Sequence, residues 1–291
     1  MLQQLTVRSP SKINVFLEVL GKRPDGFHDL ETVMLRTQFT DVMRFCNTES
    51  NSVSLSVATG TDVRLAKAFP RDESNLILRA AKALREHYGV NQGAAITIAK
   101  RIPPESGLGG GSGNAATTLL ALNRLWKLNL PLSELHRLAE TLGSDVNFLL
   151  SGFRAAICRG RGESVEQISL GGRFYFVSVR PRSGNRTSDV FQGVSEFGQF
   201  RSANEIVEKF RGGFSRRFAI TPFNRLTESA AAQNDDLADL LRRASDILNV
   251  QMYMSGSGSS CFIPVGSHRD AVRMANRTKM VTGLLPQILW A

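Results

Sequence analysis

The most distinctive segment of this sequence is rich in glycine: five of the seven residues at positions 107–113 are glycine. Glycine loses more conformational freedom on folding than other residues, so such a segment weakens a packed element. It suits a place where backbone N–H groups must approach an anion closely, with no Cβ atoms between them. An apolar helix is predicted directly afterwards, over residues 114–126, and its unpaired N–H groups and dipole would point back at the glycines. The combination predicts a phosphate-binding site.

Known nucleotide-binding patterns fit this segment only in part. The Walker A pattern requires a lysine directly after the glycines, and none follows here. The Rossmann pattern G-x-G-x-x-A occurs at Gly111, Gly113 and Ala116. The predicted strand before it ends well upstream, however, and a second helix rather than a parallel strand is predicted after it. A protein-kinase loop would need an H-R-D segment, which the sequence lacks. A flexible surface loop without function is the alternative.

The elements that would position these glycines alternate between strands and helices. We predict strands over residues 12–20, 30–35, 53–57, 94–99, 154–158 and 174–180, a strand, turn and strand within 251–265, and helices over 74–88, 114–126, 133–142, 203–210 and 235–248. The order lacks the regular βαβ rhythm of a doubly wound sheet, so we expect an α+β fold. A looser stretch at residues 160–172 predicts a boundary between two domains, residues 1–160 and 161–291.

The composition limits the possible functions. With 42% hydrophobic and 21% charged residues, the chain is typical of globular proteins, and no apolar run is long enough to span a membrane. We therefore expect a cytoplasmic protein without membrane contact. The formal net charge of +10 favours anionic ligands but does not distinguish phosphates from nucleic acid. The three cysteines could form at most one bridge, which a chain of this size does not need, so we expect them to be reduced. The four histidines lack metal-binding spacing, so we expect no histidine-based metal site.

Three motifs, spread over nearly the whole chain, resemble those of a known superfamily. Residues 9–17 (SPSKINVFL), 103–116 (PPESGLGGGSGNAA) and 254–262 (MSGSGSSCF) are similar to the first, second and third motifs of the GHMP kinases. The resemblance implies a two-domain α+β fold with a ribosomal-protein-S5-like N-terminal half and a ferredoxin-like α/β C-terminal half. It also implies an ATP-dependent small-molecule kinase. The superfamily has no P-loop lysine, in agreement with its absence here.

Two shorter stretches narrow this resemblance. Residues 21–34 (GKRPDGFHDLETVM) and 142–146 (LGSDV) resemble the GHMP kinases that phosphorylate the 2-hydroxyl of a methylerythritol linked to cytidine diphosphate, in the non-mevalonate route to isoprenoid precursors. A GHMP kinase for mevalonate, homoserine or a sugar is the alternative. An inactive relative or a nucleic-acid-binding protein is a more distant one. The resemblance leaves open whether the protein is a monomer or a homodimer.

By this resemblance, Asp145 is the catalytic base that takes the proton from the attacking hydroxyl group. We expect it in a loop after the helix end at Gly143, where a carboxylate gains nothing from the helix dipole. Lys12 would lie near Asp145 and stabilise developing negative charge. Asn14 would contact the substrate near the same aspartate.

The resemblance also assigns the residues that hold ATP, while Mg²⁺ would bridge the triphosphate oxygens without implied protein ligands. Ser112 offers a hydroxyl group to a phosphate or to metal-bound water, or it caps the following helix. The nucleotide-binding residues are Pro103, Pro104, Gly107, Leu108, Gly109, Gly110, Gly111, Ser112 and Gly113.

The cytidine diphosphate end of the substrate would meet aromatic residues. Phe27 would stack on cytosine, His28 would form hydrogen bonds with its polar edge, and Phe191 would stack on the opposite face. Packing in the core is the alternative for Phe27. The third motif would support the site with backbone N–H groups, or merely form a tight turn, through Ser255, Gly256 and Gly258.

The sequence departs from the superfamily pattern at a few positions. Glu105 and Ser106 stand where glycines or small residues are usual. A carboxylate at position 105 would repel a triphosphate unless it points away or faces Mg²⁺ or the adenosine. Asn147 replaces a frequent proline, and Phe27 replaces a usual tyrosine and loses its hydroxyl group. None of these changes touches Lys12 or Asp145, so we expect any effect on nucleotide affinity rather than on catalysis.

Overall fold

The computed structural model of the chain describes residues 3–194, 199–212 and 220–291. Contacts between Cα atoms divide the chain into two compact units. The described residues of the first unit lie within Met1–Ser11, Phe39–Pro104 and Gly109–Gly152, and those of the second within Lys12–Gln38, Glu105–Leu108 and Phe153–Ala291. Each unit thus combines distant parts of the chain. The division into residues 1–160 and 161–291 stays a prediction.

Strands and helices alternate irregularly along the chain. The strands are β1 (Gln4–Lys22), β2 (His28–Thr48), β3 (Val53–Val57), β4 (Gly93–Ala99), β5 (Ala155–Gly160), β6 (Ser164–Gln167), β7 (Tyr175–Val179), β8 (Phe223–Asn224), β9 (Tyr253–Met254), β10 (Cys261–Val265) and β11 (Gln287–Trp290). The helices are α1 (Val63–Ala68), α2 (Leu76–Tyr88), α3 (Gly110–Leu125), α4 (Leu132–Leu142), α5 (Ser144–Ser151), α6 (Thr187–Gln192), α7 (Asn204–Arg211), α8 (Thr227–Ala232), α9 (Asp235–Asp246) and α10 (His268–Thr282).

In the first unit, β4 lies between β3 and the second half of β2. It runs parallel to β3 and antiparallel to Val42–Thr48 of β2. Helices α2, α3, α4 and α5 pack on one another. Helix α2 lies within its predicted range, residues 74–88. At its start the side chain of Asn75 accepts a hydrogen bond from the backbone N–H of Ile77, and at its end Gly89 adopts the left-handed conformation at the C-cap.

Helix α3 is buried along most of its surface, which agrees with its apolar sequence. It begins at Gly110, earlier than the predicted start at residue 114. Three glycines of the glycine-rich segment are therefore part of its first turns and not of a loop. Neither this helix nor any other in the described part of the chain is long and apolar enough to cross a membrane.

In the second unit, β7 and β10 form the centre of an antiparallel four-stranded sheet in the order β11-β7-β10-β9. Buried residues of β7 and β10 share one apolar cluster with helices α8, α9 and α10. Strand β5 pairs with Leu30–Leu35 of β2 and, in a hairpin, with β6. Phe16 and Leu17 of β1 pair in parallel with β8.

Several elements of the structure were not predicted from the sequence, among them helices α5 and α10 and most of β2. Helix α10 fully buries Ala271 and Thr278 and partly buries Met274, Ala275 and Val281, a stripe at helical spacing that was not used in the sequence prediction. Its start also carries a capping signal, because Ser267 Oγ accepts a hydrogen bond from the N–H of Asp270 at 3.1 Å. Strand β2 was predicted only as residues 30–35, although its alternating burial continues far beyond them.

Candidate functional site

The start of the glycine-rich segment, Glu105–Leu108, belongs to the second unit, where it is tied to the turn between β9 and β10. The N–H of Ser260 donates to the carbonyl oxygen of Ser106 at 3.1 Å, and Ser255 Oγ donates to that of Gly107 at 2.9 Å. Gly107 has φ +72°, and a Cβ there would lie 2.0 Å from the carbonyl oxygen of Ser255. Only glycine fits this position, because both the conformation and the contact exclude a side chain.

Lys12 is the charged group at the centre of this arrangement. It is 3% exposed, its backbone N–H donates to the carbonyl oxygen of Leu108 at 2.9 Å, and its Nζ donates to Asn14 Oδ1 at 2.6 Å. Gly256, with φ +59°, faces the same side chains, since a Cβ there would lie 3.2 Å from Lys12 Nζ and 3.3 Å from Asn14 Oδ1. The structure thus joins residues of the first motif, the glycine-rich segment and the third motif.

Asn14 is held from three sides. Its backbone N–H donates to Ser255 Oγ at 3.1 Å, and its Nδ2 donates to Thr32 Oγ1 at 2.8 Å. The hydroxyl of Thr32 in turn donates to the carbonyl oxygen of Phe16 at 2.6 Å. Thr32 was not singled out from the sequence, although it lies within the stretch at residues 21–34 that carries the narrower resemblance.

The turn of the third motif is shaped by glycine and by amide side chains. Gly258 has φ +88°, and a Cβ there would lie 2.6 Å from Met254 Sδ. Asn224 Nδ2 donates to the carbonyl oxygens of Met254 and Gly256, both at 2.8 Å. Nothing in the sequence around Asn224 indicates this role, because its two acceptors lie far away along the chain.

The predicted aromatic residues lie in the second unit beside the turn after β1. The rings of His28 and Phe191 stack with their centroids 5.1 Å apart. Phe27 is 53% exposed, which excludes the core-packing alternative, and the guanidinium of Arg161 lies 5.0 Å from its ring centroid. Burial, and secondarily the charge of Lys22, lowers the pKa of His28. That Phe27 and Phe191 take opposite faces of cytosine stays a prediction.

The rest of the glycine-rich segment, residues 109–113, belongs to the first unit. Gly109 is the N-cap of α3 with φ +67°, and no side chain caps this helix. The interpretation of Ser112 as an N-cap is therefore wrong: Ser112 lies inside the first turn, because the helix starts at Gly110. The first N–H groups of a helix have no intrahelical partner, so this end offers donors and a positive dipole to an anion.

The glycines of α3 differ in what they touch. A Cβ on Gly113 would lie 2.2 Å from the carbonyl oxygen of Pro10, and one on Gly110 would lie 2.7 Å from Ile102 Cγ2. A Cβ on Gly111 would meet only Leu76 Cδ1, at 3.5 Å. Gly110 and Gly113 are therefore required for packing of the helix, whereas the lack of a side chain at Gly111 has no packing reason.

A buried ion pair lies beneath the start of α3, and sequence reasoning missed it. Lys100 Nζ donates to Asp41 Oδ2, and the side chains of Lys100 and Asp41 are 3% and 0% exposed. Asp41 Oδ1 accepts from the N–H of Ile102 at 2.9 Å, and Oδ2 accepts from Asn114 Nδ2 at 3.0 Å. Burial lowers the pKa of Lys100, and Asp41 opposes this effect. The pair links β2 and the end of β4 to the start of α3.

Asp145 lies in the first turn of α5, which begins at Ser144 directly after Gly143. The expectation that this carboxylate stands in a loop and gains nothing from a helix dipole is wrong, because a carboxylate at a helix N-terminus is favoured. The side chain of Asn147, in the same helix, lies 2.9 Å from His136 Nδ1 through its Oδ1. A polar partner explains how the helix accommodates asparagine at this position.

The described residues contain no group of three or more His, Cys, Asp or Glu side chains that could hold a metal ion. Mg²⁺ in phosphoryl-transfer sites takes one or two carboxylates, several waters and substrate phosphates. Asp145 and the hydroxyl of Ser112, both in the first unit, are oxygen donors of the type that such an ion takes.

Comparison with known proteins gives a consistent result. Residues 75–156, which include the glycine-rich segment and Asp145, match the profile of the GHMP kinases N terminal domain. A 4-diphosphocytidyl-2-C-methyl-D-erythritol kinase of Paraburkholderia phymatum is 36% identical over 272 residues, which cover 91% of this chain and 86% of that protein.

Solved structures agree with this similarity. A crystal structure of 4-(cytidine 5'-diphospho)-2C-methyl-D-erythritol kinase matches with a TM-score of 0.78 and 30% identity, covering 98% of each chain. Homoserine kinase from Cytophaga hutchinsonii matches with a TM-score of 0.67 and 17% identity, covering 99% of this chain and 94% of that one. At such identity the second match shows a shared fold alone, and the predicted α+β GHMP kinase fold is confirmed.

Proposed function

This chain belongs to the GHMP kinase superfamily and, within it, to the 4-diphosphocytidyl-2-C-methyl-D-erythritol kinases, and from that premise we propose that it transfers the γ-phosphoryl group of ATP to the 2-hydroxyl of 4-diphosphocytidyl-2-C-methyl-D-erythritol. The reaction belongs to the non-mevalonate pathway to isoprenoid precursors. Phosphoryl transfer needs little covalent chemistry from the protein, so positioning and charge stabilisation carry the catalysis. A cytoplasmic location and a monomeric or homodimeric state are part of the proposal and rest on the resemblance.

The observation that carries the proposal is the cluster around Lys12. The buried ammonium group there donates to Asn14, and the backbone N–H of the same lysine binds the carbonyl oxygen of Leu108 in the glycine-rich segment. A positive charge that is already in place stabilises negative charge developing in the transition state without reorganisation. The cluster supports Lys12 as that charge and Asn14 as its positioning partner.

Asp145 is the proposed general base. It accepts the proton of the 2-hydroxyl group while the hydroxyl oxygen attacks the γ-phosphorus, and the bond from this phosphorus to the bridging oxygen of ADP breaks. Mg²⁺, when bound with ATP, would supply positive charge to the phosphate oxygens, and the hydroxyl of Ser112 would hold it. The helix N-terminus at Gly109 and Gly110 donates backbone N–H groups to the phosphates.

The aromatic residues of the second unit are the proposed cytosine site. Because its pKa is lowered, His28 is neutral at neutral pH and offers one donor and one acceptor nitrogen. Cytosine carries both an amino donor and carbonyl and ring-nitrogen acceptors, so a neutral imidazole suits its edge. Phe27 is exposed enough to stack on the base, and the ring of Phe191 stacks on that of His28.

A coupled assay of ADP release tests the proposed function, with ATP, Mg²⁺ and the cytidine-diphosphate-linked substrate. We expect turnover that depends on this substrate, and none with mevalonate or homoserine. The Asp145→Asn protein, prepared in the same way, controls for contaminating kinases. Calorimetric binding of mevalonate or homoserine, without binding of the cytidine-linked compound, would overturn the assignment of the substrate.

A further inference from the structure

Glu105 places a negative charge at the beginning of the glycine-rich segment. It is an exposed residue with φ +50°, next to Ser106 and Gly107, whose carbonyl oxygens are bound by the third motif. A glutamate is not needed for this conformation, which glycine adopts at lower cost. If the segment receives a triphosphate, as the proposed function requires, an uncompensated carboxylate here weakens nucleotide binding by repulsion.

Arg180, directly after β7, is a cation in the neighbourhood of this carboxylate. Arg180 Nη2 and Glu105 Oε2 each lie 3.4 Å from the point where a Cβ on Gly184 would stand. Burial lowers the pKa of the half-buried Arg180, and the charge of Glu105 opposes this effect. Arg180 Nε is buried and has no hydrogen-bond partner among the described residues, so no other acceptor holds this nitrogen. Glycine at position 184 leaves open a space that borders both charged groups, which interact through their charges and not through a direct salt bridge.

The loop after Arg180 is fixed to the same turn that holds the glycine-rich segment. Ser259 Oγ donates to the carbonyl oxygen of Ser183 at 2.7 Å, and Asn185 Nδ2 donates to that of Ser257 at 3.2 Å. Asn234 bonds both loop residues, accepting from Ser183 Oγ at 2.8 Å and donating to Asn185 Oδ1. One hydrogen-bonded network therefore joins the loop after Arg180 to the turn that also binds the residues after Glu105.

We propose that Arg180 is a positioning residue for nucleotide binding, whose charge beside Gly184 compensates the charge of Glu105. This inference rests on the proposed function, because the charge of Glu105 matters only if the neighbouring segment binds phosphates. Where the superfamily pattern has a small neutral residue at position 105, this chain has two compensating charges, Glu105 and Arg180. Because Glu105 is exposed, the pair contributes little to the stability of the fold, and its effect belongs to ligand affinity.

Calorimetric titration with ATP and Mg²⁺, together with steady-state kinetics, tests the inference. Arg180→Ala should raise the Kd and the KM for ATP about fivefold while kcat changes little, and the increase should shrink at high ionic strength. Arg180→Lys should recover part of the affinity because it keeps the charge. Arg180→Ala combined with Glu105→Gln should restore it, because the uncompensated carboxylate is gone. Arg182→Ala, which removes an equal charge from the same loop, is the matched control and should not show this rescue.

Two results would overturn the inference. One is an unchanged Kd for ATP in Arg180→Ala, and the other is an increase that Glu105→Gln fails to reverse, which would mean that Arg180 acts only on the loop structure. The melting temperature of each variant shows whether the loop structure has changed. We expect it to stay near that of the wild type. Failure of the proposed function is a separate result: the wild-type protein would then bind ATP but not phosphorylate the cytidine-linked substrate.

Discussion

The ammonium group of Lys12 donates a hydrogen bond to the side-chain oxygen of Asn14, with 2.6 Å between Nζ and Oδ1. The two residues stand two positions apart on β1 and therefore share one face of the strand. The amide nitrogen of Asn14 is bound by Thr32 at 2.8 Å, so the amide oxygen is turned towards the lysine. Thr32 thus sets the orientation of the group that positions the buried charge.

Lys12→Met should lower kcat by about 10²–10³ while the fold is retained. The change removes a charge that stabilises the transition state and keeps a side chain of similar length. Steady-state kinetics and far-UV circular dichroism check both parts. Lys82→Met, on the exposed face of α2, is the control and should leave kcat unchanged. A Lys12→Met protein with normal kcat would remove Lys12 from the mechanism.

Asp145→Asn should lower kcat by about 10²–10⁴, the usual contribution of a general base, with little change in the Kd for ATP. The lost charge at the start of α5 should also cost about 0.3–1 kcal/mol of stability. Asp235→Asn removes an exposed carboxylate from the first turn of another helix, α9, and should show only the stability effect. Turnover of Asp145→Asn at the wild-type rate would contradict the proposed base.

His28 should give the enzyme a pH-dependent KM for the cytidine-linked substrate. Its pKa is lowered from the ordinary value of 6.5, so it is neutral above this pH and becomes protonated only as the pH falls below it. If neutral imidazole binds cytosine, KM should be constant above pH 6.5 and rise below it. His28→Gln should abolish this rise. An identical pH profile in the variant would show that another group titrates.

Gly107→Ala and Gly111→Ala should differ in stability. At Gly107 the positive φ and the nearby Ser255 carbonyl oxygen oppose a side chain, so alanine should destabilise the protein by more than about 1 kcal/mol. At Gly111 alanine meets only ordinary contact and should stabilise α3 by up to about 1 kcal/mol. Urea unfolding measures both. If Gly111→Ala is stable but binds ATP less tightly, the loss of affinity arises at the ligand site itself. Equal destabilisation by the two changes would contradict the different roles assigned to Gly107 and Gly111.

Removing one member of the buried Lys100–Asp41 pair should be strongly destabilising. Asp41→Asn leaves a buried ammonium group without its counter-charge, which costs about 3–5 kcal/mol. Glu205→Gln, which breaks an exposed pair with Lys209 on α7, is the control and should cost less than about 1 kcal/mol. Chemical denaturation of the two variants compares them. A small effect of Asp41→Asn would mean that water reaches Lys100.

Local pattern was sufficient for much of the fold. Helix α2, with Asn75 and Gly89 at its ends, and helix α4, with Gly143 after it, follow the predicted bounds closely because capping and periodicity are properties of neighbouring residues. The roles of Thr32 and Asn224 escaped prediction, since each acts on a residue brought close by folding. The same is true of Asp41 and Lys100, which are 59 positions apart.

The glycine-rich segment shows what the sequence determines by itself and what only the tertiary structure determines. Its composition and the helix after it predicted a phosphate-binding site, because closely approaching backbone N–H groups need glycine, and the resemblance of three motifs to the GHMP kinases implied the kinase type. Only the tertiary structure decided which glycine does what. A side chain at Gly107 would clash with Ser255 and one at Gly113 with Pro10, whereas one at Gly111 would make only an ordinary van der Waals contact. Distances between segments remote in sequence create these constraints, and no local pattern records them.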